Sequence, residues 1–164
     1  MSRRAPNRRP SHLALRQVGI LGPVAPQSLE DIGSLLDAPS AAVLTTTRKD
    51  GTPLTSPVWF RWTGLAFEVV IARGDVKVRH LERDPRCVLV IFETVRPFRG
   101  VEVRTEATLS DGNVSDVRRS IASRYLGEDA GTRFAAERAA RPSVLVQLVP
   151  REPRIWDMAG ILPD

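Results

Sequence analysis

Residues 57–92 read PVWFRWTGLAFEVVIARGDVKVRHLERDPRCVLVIF, and the order strand, turn, strand, short helix, strand within them decides the fold. Pro57 stands inside an alternating run over 53–62. Leu54, Ser56, Val58, Phe60 and Trp62 share one face of it, and Thr55, Pro57, Trp59 and Arg61 the other. Proline cannot donate to a β ladder, so this strand is an edge or is bulged at Pro57. Thr63-Gly64 turns the chain into 65–72, where Leu65, Phe67, Val69 and Ile71 alternate with Ala66, Glu68, Val70 and Ala72. Asp75 then stands where an N-cap belongs, Val78 and Leu81 mark the inner side of a helix reaching about Arg83, and Asp84-Pro85 stops it. Residues 86–92 form a continuous apolar strand, expected to be buried on both faces.

The helix in this stretch opens with Arg73-Gly74-Asp75, followed one turn later by Lys77. A glycine, free backbone N–H groups and a nearby ammonium make a place to hold a phosphate. The strand before it carries the aromatic segment Pro57-Val58-Trp59-Phe60, of the kind that walls a flat ring. In an arbitrary strand Trp59 and Phe60 are core residues, and a lone lysine is a solvated one, so the residues alone leave both readings open.

Upstream, Ser28 and Asp31 have capping-box spacing before Leu29, Ile32, Leu35 and Leu36, with Pro39 closing a short helix. Residues 41–48 have the β-branched content of a strand, and Lys49-Asp50-Gly51 is a hairpin turn signal. Downstream, 101–109 alternates with Val101, Val103, Thr105, Ala107 and Leu109 inward. Val114, Val117, Ile121 and Tyr125 recur at helical spacing over 113–126, with Gly127 in the C-cap position. A second helix is expected over 132–141, then a strand over 144–149 and a last extended piece over 154–157. Six strands joined mostly by hairpin-length turns predict a mainly β protein, an antiparallel barrel with peripheral helices. There is no GxGxxG after a strand, and helices do not alternate with strands, which argues against a dinucleotide-binding α/β fold.

At 164 residues the chain is one domain's worth, 28–164, preceded by an Arg/Pro-rich tail over 1–27 expected to be disordered. The formal charge is +5, yet five arginines and no acid lie in 1–27, which leaves 19 basic against 19 acidic groups in the rest. The domain is thus neutral and without an aromatic-basic stacking surface, which argues against a nucleic-acid partner. Cys87, the only cysteine, lies in an apolar run and reads as core, in keeping with a reducing compartment. No apolar run is long enough to span a bilayer and no signal-peptide pattern stands at the N-terminus, so the expected location is the cytoplasm.

No Ser-His-Asp, metal-ligand or paired-carboxylate constellation is present, which suits chemistry carried by an organic cofactor. The segments AAVLTTTRKDGTPLTSPVWF (41–60), KVRHLERDPRCVLV (77–90), RGVEVRTEA (99–107) and RIWD (154–157) resemble, in this order, the split β-barrel flavin and deazaflavin oxidoreductases related to pyridoxamine 5'-phosphate oxidase. The resemblance covers about 36–157. It implies a six-stranded antiparallel split β-barrel of the FMN-binding-protein type and a homodimer with cofactors in clefts between subunits. It further implies that Pro57, Val58 and Trp59 border the tricyclic ring, that Ala72, Arg73 and Lys77 hold the phosphate, and that Trp156 of the other subunit completes the pocket. Relatives often carry Ser or Thr where this chain has Asp75, and a carboxylate there repels a phosphate unless it turns away as a cap. The C-terminal substrate-arginine pattern of true pyridoxamine phosphate oxidases is not evident.

The activity implied is hydride transfer from reduced coenzyme F420 to a small conjugated or aromatic acceptor. Arginine outnumbers lysine 22 to 2, a mark of a GC-rich genome, and this favours coenzyme F420 over FMN. The alternatives are an FMN-dependent oxidoreductase of the same fold, or a flavin-, coenzyme F420- or haem-binding protein without turnover. No catalytic side chain stands out.

Overall fold

A computed structural model describes residues 28–162. The tail expected over 1–27 lies outside them. In chain order the elements are α1 (Gly33–Asp37), β1 (Ala41–Thr47), β2 (Pro53–Pro57), β3 (Arg61–Trp62), β4 (Phe67–Ala72), α2 (Val76–Arg83), β5 (Arg86–Phe92), β6 (Gly100–Ser110), α3 (Val114–Leu126), α4 (Glu128–Glu137), β7 (Ser143–Leu148) and β8 (Arg154–Trp156). Every strand pair is antiparallel, in the order β2-β1-β5-β6-β7-β4-β3, with β8 on β6.

Among the described residues the strands number eight rather than six, in part because the expected strand over 53–62 is two. Pro57 ends β2, an edge strand as the proline predicted, and Val58 N–H makes one further bond to the Ala42 carbonyl at 3.0 Å. Trp59 and Phe60 then cross to the far end of the sheet, where Arg61 and Trp62 pair with Glu68 and Phe67. The eighth strand is the extended piece near the C-terminus, which pairs with β6.

β6 gives the sheet its curl. Its first part pairs with β5, and residues 107–110 pair with β7. The sheet closes around Leu44, Phe60, Phe67, Leu89, Val103 and Val146, each fully buried. Side chains of this size contribute about 1.5–3 kcal/mol each on burial. Val78 and Leu81 of α2 and Leu35 and Leu36 of α1 cap the same core.

Four boundary and burial expectations are corrected. Ser28 does bond Asp31 through its N–H (2.7 Å) and hydroxyl (3.1 Å), but this makes a turn, and regular helix begins only at Gly33. Leu65 sits at the tip of the β3–β4 turn, 80% exposed, because β4 starts two residues later. β5 buries one face, and Val88, Val90 and Phe92 on the other are half-covered. The second helix spans Glu128–Glu137 instead of 132–141. Gly127, at φ 83°, closes α3 and opens α4 without a linker, and Glu128 and Asp129 suit the first turn of a helix. The two helices touch closely at Gly131, where a Cβ would strike the backbone of Ser123.

Candidate functional site

A cavity of about 550 Å³ opens between β4, the chain leaving β2, and the α3–α4 hairpin. Its floor follows from the ladder in which Ala72 pairs with Ser143 and Val70 with Leu145. One part is aromatic. Trp59 lines the cavity with 37% exposure, stacked on Tyr125 at 5.0 Å and 9° and tilted on Phe134 at 5.4 Å. Tyr125 is anchored behind it by donating to the Ser40 carbonyl at 3.0 Å, so the indole rests on a fixed ring.

The other part is cationic. Asp75 caps α2 by accepting from Lys77 N–H at 2.8 Å, and the same carboxylate takes the Lys77 ammonium at 2.9 Å. Burial pushes the Asp75 carboxyl up, but the Lys77 hydrogen bonds and charge outweigh it and hold it below the ordinary range. Arg118, on α3, is only 7% exposed. It donates from Nη1 to the Arg138 carbonyl (3.0 Å) and from Nη2 to Ser143 Oγ (2.6 Å) and the Arg141 carbonyl (3.4 Å). Burial, then the nearby Arg138 guanidinium, pull Arg118 below its ordinary range. Arg138 lies 3.7 Å over the Phe134 ring. Lys77, Arg118, Arg138 and Arg141 thus face one cavity with Asp75 as its lining carboxylate.

The aromatic and cationic parts are set apart by helix geometry. Arg118, Ile121 and Tyr125 share a face of α3, and seven residues advance about 10 Å along the axis. α4 runs back beside it, with Phe134 one turn before Arg138. A molecule with a flat ring at one end and negative charge at the other fits this arrangement.

Of the residues expected at a cofactor site, Pro57, Val58, Trp59, Ala72 and Lys77 line this one cavity. Arg73 does not; its guanidinium pairs with Asp111. Trp156 does not line it either, and packs on Gly100, where a Cβ would collide with the indole. Sequence reasoning missed Phe134, Arg138, Arg141, Ser143 and above all Arg118. One signal was available: Arg118 falls between Val117 and Ile121 on the buried face of α3, where a cation has no ordinary reason to be.

Other reactive groups lie elsewhere. Burial pushes the Cys87 thiol up to about 12, which suits a core residue rather than a nucleophile. His80, buried on α2, holds Thr46 Oγ1 at 3.0 Å. Among the described residues no group of three or more His, Cys, Asp or Glu is placed to hold a metal ion. Nor is any helix among them long and apolar enough to cross a membrane.

A curled antiparallel sheet whose edge strand crosses over to its far end, with a helical hairpin over the resulting cleft, defines a split-barrel protein. The model of the pyridoxamine 5'-phosphate oxidase family matches residues 29–157, and the chain belongs to that family. Among solved structures it is similar to a conserved hypothetical protein from Mycobacterium tuberculosis, with TM-score 0.73 and 23% identity over 86% of this chain and 91% of that one. It is also similar to an F420 reductase, with TM-score 0.62 and 22% identity over 79% and 98%. A third is HutZ, the heme storage protein from Vibrio cholerae, with TM-score 0.59 and 15% identity over 78% and 92%. At these identities the likeness is one of fold. A search of curated proteins finds no match.

Proposed function

We propose that this chain is an oxidoreductase that binds coenzyme F420 in the cavity and serves hydride transfer to a small conjugated or aromatic acceptor. The observation that carries the reading is the pairing, in one cavity, of an aromatic wall at Trp59 with four cations set against a single lining carboxylate. When bound, the deazaflavin supplies the hydride chemistry. The chain's part is to orient and enclose: Trp59, backed by Tyr125, would fix the plane of the ring, Pro57 and Val58 would border it, and the cationic part would take the anionic tail.

The charge count favours coenzyme F420 within the flavin-type cofactors of the family. FMN brings one phosphate, whereas the coenzyme F420 tail continues from its phosphate into carboxylates, a better complement for four cations. FMN is the second reading, favoured by the family match itself. A haem is less well served, since His80, the one histidine among the described residues, is buried against Thr46 away from the cavity.

The reading includes two further elements: pairing of two copies, and action in the cytoplasm, in keeping with a free, buried Cys87. The half-covered apolar outer face of β5 motivates the pairing. Sedimentation equilibrium tests it, and a monomer at micromolar concentration would remove any site shared between chains.

Titration of the purified protein with coenzyme F420 and with FMN, followed by absorbance and tryptophan fluorescence, tests the cofactor. Tighter binding of coenzyme F420, with oxidation of its reduced form by a conjugated acceptor, is the expected result. Absence of binding by either compound overturns the reading.

A further inference from the structure

We propose that Asp75 makes the cavity select a singly charged phosphodiester over a doubly charged phosphate monoester. This deepens the cofactor reading and rests on it, with the phosphoryl group received at the Lys77 ammonium.

The carboxylate is pinned at that place. One Asp75 oxygen caps α2 by accepting from Lys77 N–H at 2.8 Å, and the other takes the Lys77 ammonium at 2.9 Å. Asp75 lines the cavity, and turning its side chain away would break both bonds. Burial disfavours its charge, but the Lys77 hydrogen bonds and charge, then Arg79, outweigh this, so Asp75 is ionised at neutral pH.

Geometry sets its reach. An anion oxygen bonded to the ammonium lies about 2.8 Å from the nitrogen. The nitrogen is 2.9 Å from Asp75, so that oxygen is within about 6 Å of the carboxylate whatever its direction. A ligand that uses Lys77 cannot avoid Asp75.

Charge then decides between ligands. Lys77 and Asp75 sum to zero, so the pair offers a directed donor without net positive charge. A phosphodiester brings one negative charge, whereas a monoester brings about −1.5 to −2 at pH 7. The additional charge gains little from a neutral pair, while the cost of taking an ion out of water rises with the square of its charge. The Lys77 side chain is only 14% exposed, so this cost is felt there. The other cations lining the cavity, Arg118, Arg138 and Arg141, belong to α3 and to the segment 138–141 after α4, not to the turn that opens α2. A ligand with one charge on its phosphoryl group and further charges beyond it fits this distribution, and that is coenzyme F420 rather than FMN.

Riboflavin, riboflavin 4',5'-cyclic phosphate and FMN share one ring and carry zero, one and about two negative charges, and coenzyme F420 is the fourth probe. Titrations at about pH 7.5 and fixed salt compare the wild type with Asp75→Asn and Asp75→Ser, both of which keep an N-cap, with thermal unfolding as a check on the fold. The wild type should bind the cyclic phosphate more tightly than FMN. Two unit charges about 6 Å apart under near-water screening correspond to about threefold in affinity. Removing the carboxylate should therefore strengthen the cyclic phosphate and coenzyme F420 by about threefold, FMN by about tenfold and riboflavin by less than about twofold. A wild type that prefers FMN to the cyclic phosphate overturns the proposal and leaves the cofactor reading in place, and this ranking decides even where a variant fails to fold. An equal gain for FMN and the cyclic phosphate, or for riboflavin, also overturns it. If none of the four compounds binds, the cofactor reading fails and the proposal with it.

Discussion

α3 carries two buried or half-buried arginines, Arg118 and Arg124, and the structure treats them in opposite ways. Arg124 points to the end of α1. It donates to the carbonyls of Asp37 (3.0 Å), Phe60 (2.7 Å), Leu36 and Ala38, with its guanidinium 4.3 Å over the Phe60 ring. The carbonyls at the end of a helix carry the negative pole of its dipole, so they satisfy both the N–H groups and the charge. Arg118, two turns away, finds fewer acceptors and faces a cavity. One guanidinium closes the fold around itself, and the other leaves its charge for something to answer.

If that contrast is right, stability and binding separate along one helix. Arg124→Ala should have the largest effect on folding, a loss of about 3 kcal/mol or more, because several partly buried carbonyls lose their donor together. Arg124→Lys should recover only a fraction. Arg118→Met should cost about 1 kcal/mol or less in urea unfolding, since removing an uncompensated charge offsets the bonds lost. The contrast breaks if the two variants are equally destabilised.

Gly131→Ala tests the hairpin that carries both residues. Helix propensity alone predicts a gain of up to about 1 kcal/mol, but the new methyl meets the Ser123 backbone, so a net loss of about 1–3 kcal/mol is expected. A gain would show that α4 can shift freely.

His80 offers a smaller, pH-dependent effect. Burial first, then the cations Arg83, Arg48 and Arg79, hold its imidazole below the ordinary range. The unfolded chain therefore takes up a proton at higher pH than the native one. Stability is full above the unfolded value near 6.5 and falls as pH drops below it toward the native value, by at most about 1.4 kcal/mol per pH unit. Asp75 and Glu93 are held low and respond only in more acid solution. His80→Asn should flatten the melting-temperature profile between about pH 7 and 5. An unchanged slope would assign it to other groups.

The smallest effect is expected from removing residues 1–27, within about 0.5 kcal/mol by thermal unfolding, given their prolines and uncompensated arginines.

The parts of this architecture set by near neighbours were readable from the chain. Alternation located β4 and β6, β-branched content β1 and a continuous apolar run β5, the Asp75 cap located α2, and Gly51 and Gly127 adopt the positive φ their positions required. Division of 53–62 into β2 and β3 was legible only as a warning at Pro57, because which strand Arg61 joins depends on β4. The cavity was half legible. Its wall from Pro57 to Trp59 and its Lys77 side lie in one stretch, whereas Arg118, Phe134 and Arg138 arrive on helices whose placement against β4 no local pattern encodes. Asp75 is wholly local by contrast: its capping role follows from position, and the Lys77 ammonium it holds lies two residues on.

The ladder between β4 and β7 joins Phe67 to Leu148 and Ala72 to Ser143, the widest sequence separation of any strand pair here. Hairpins such as β1–β2 and β5–β6 can form early, but this closure must wait for the chain between to be placed, and loop entropy makes such steps slow. The same ladder is the cavity floor. The candidate site is therefore expected to be among the last features built during folding, and a chain caught before that closure would hold most of its secondary structure without this cavity.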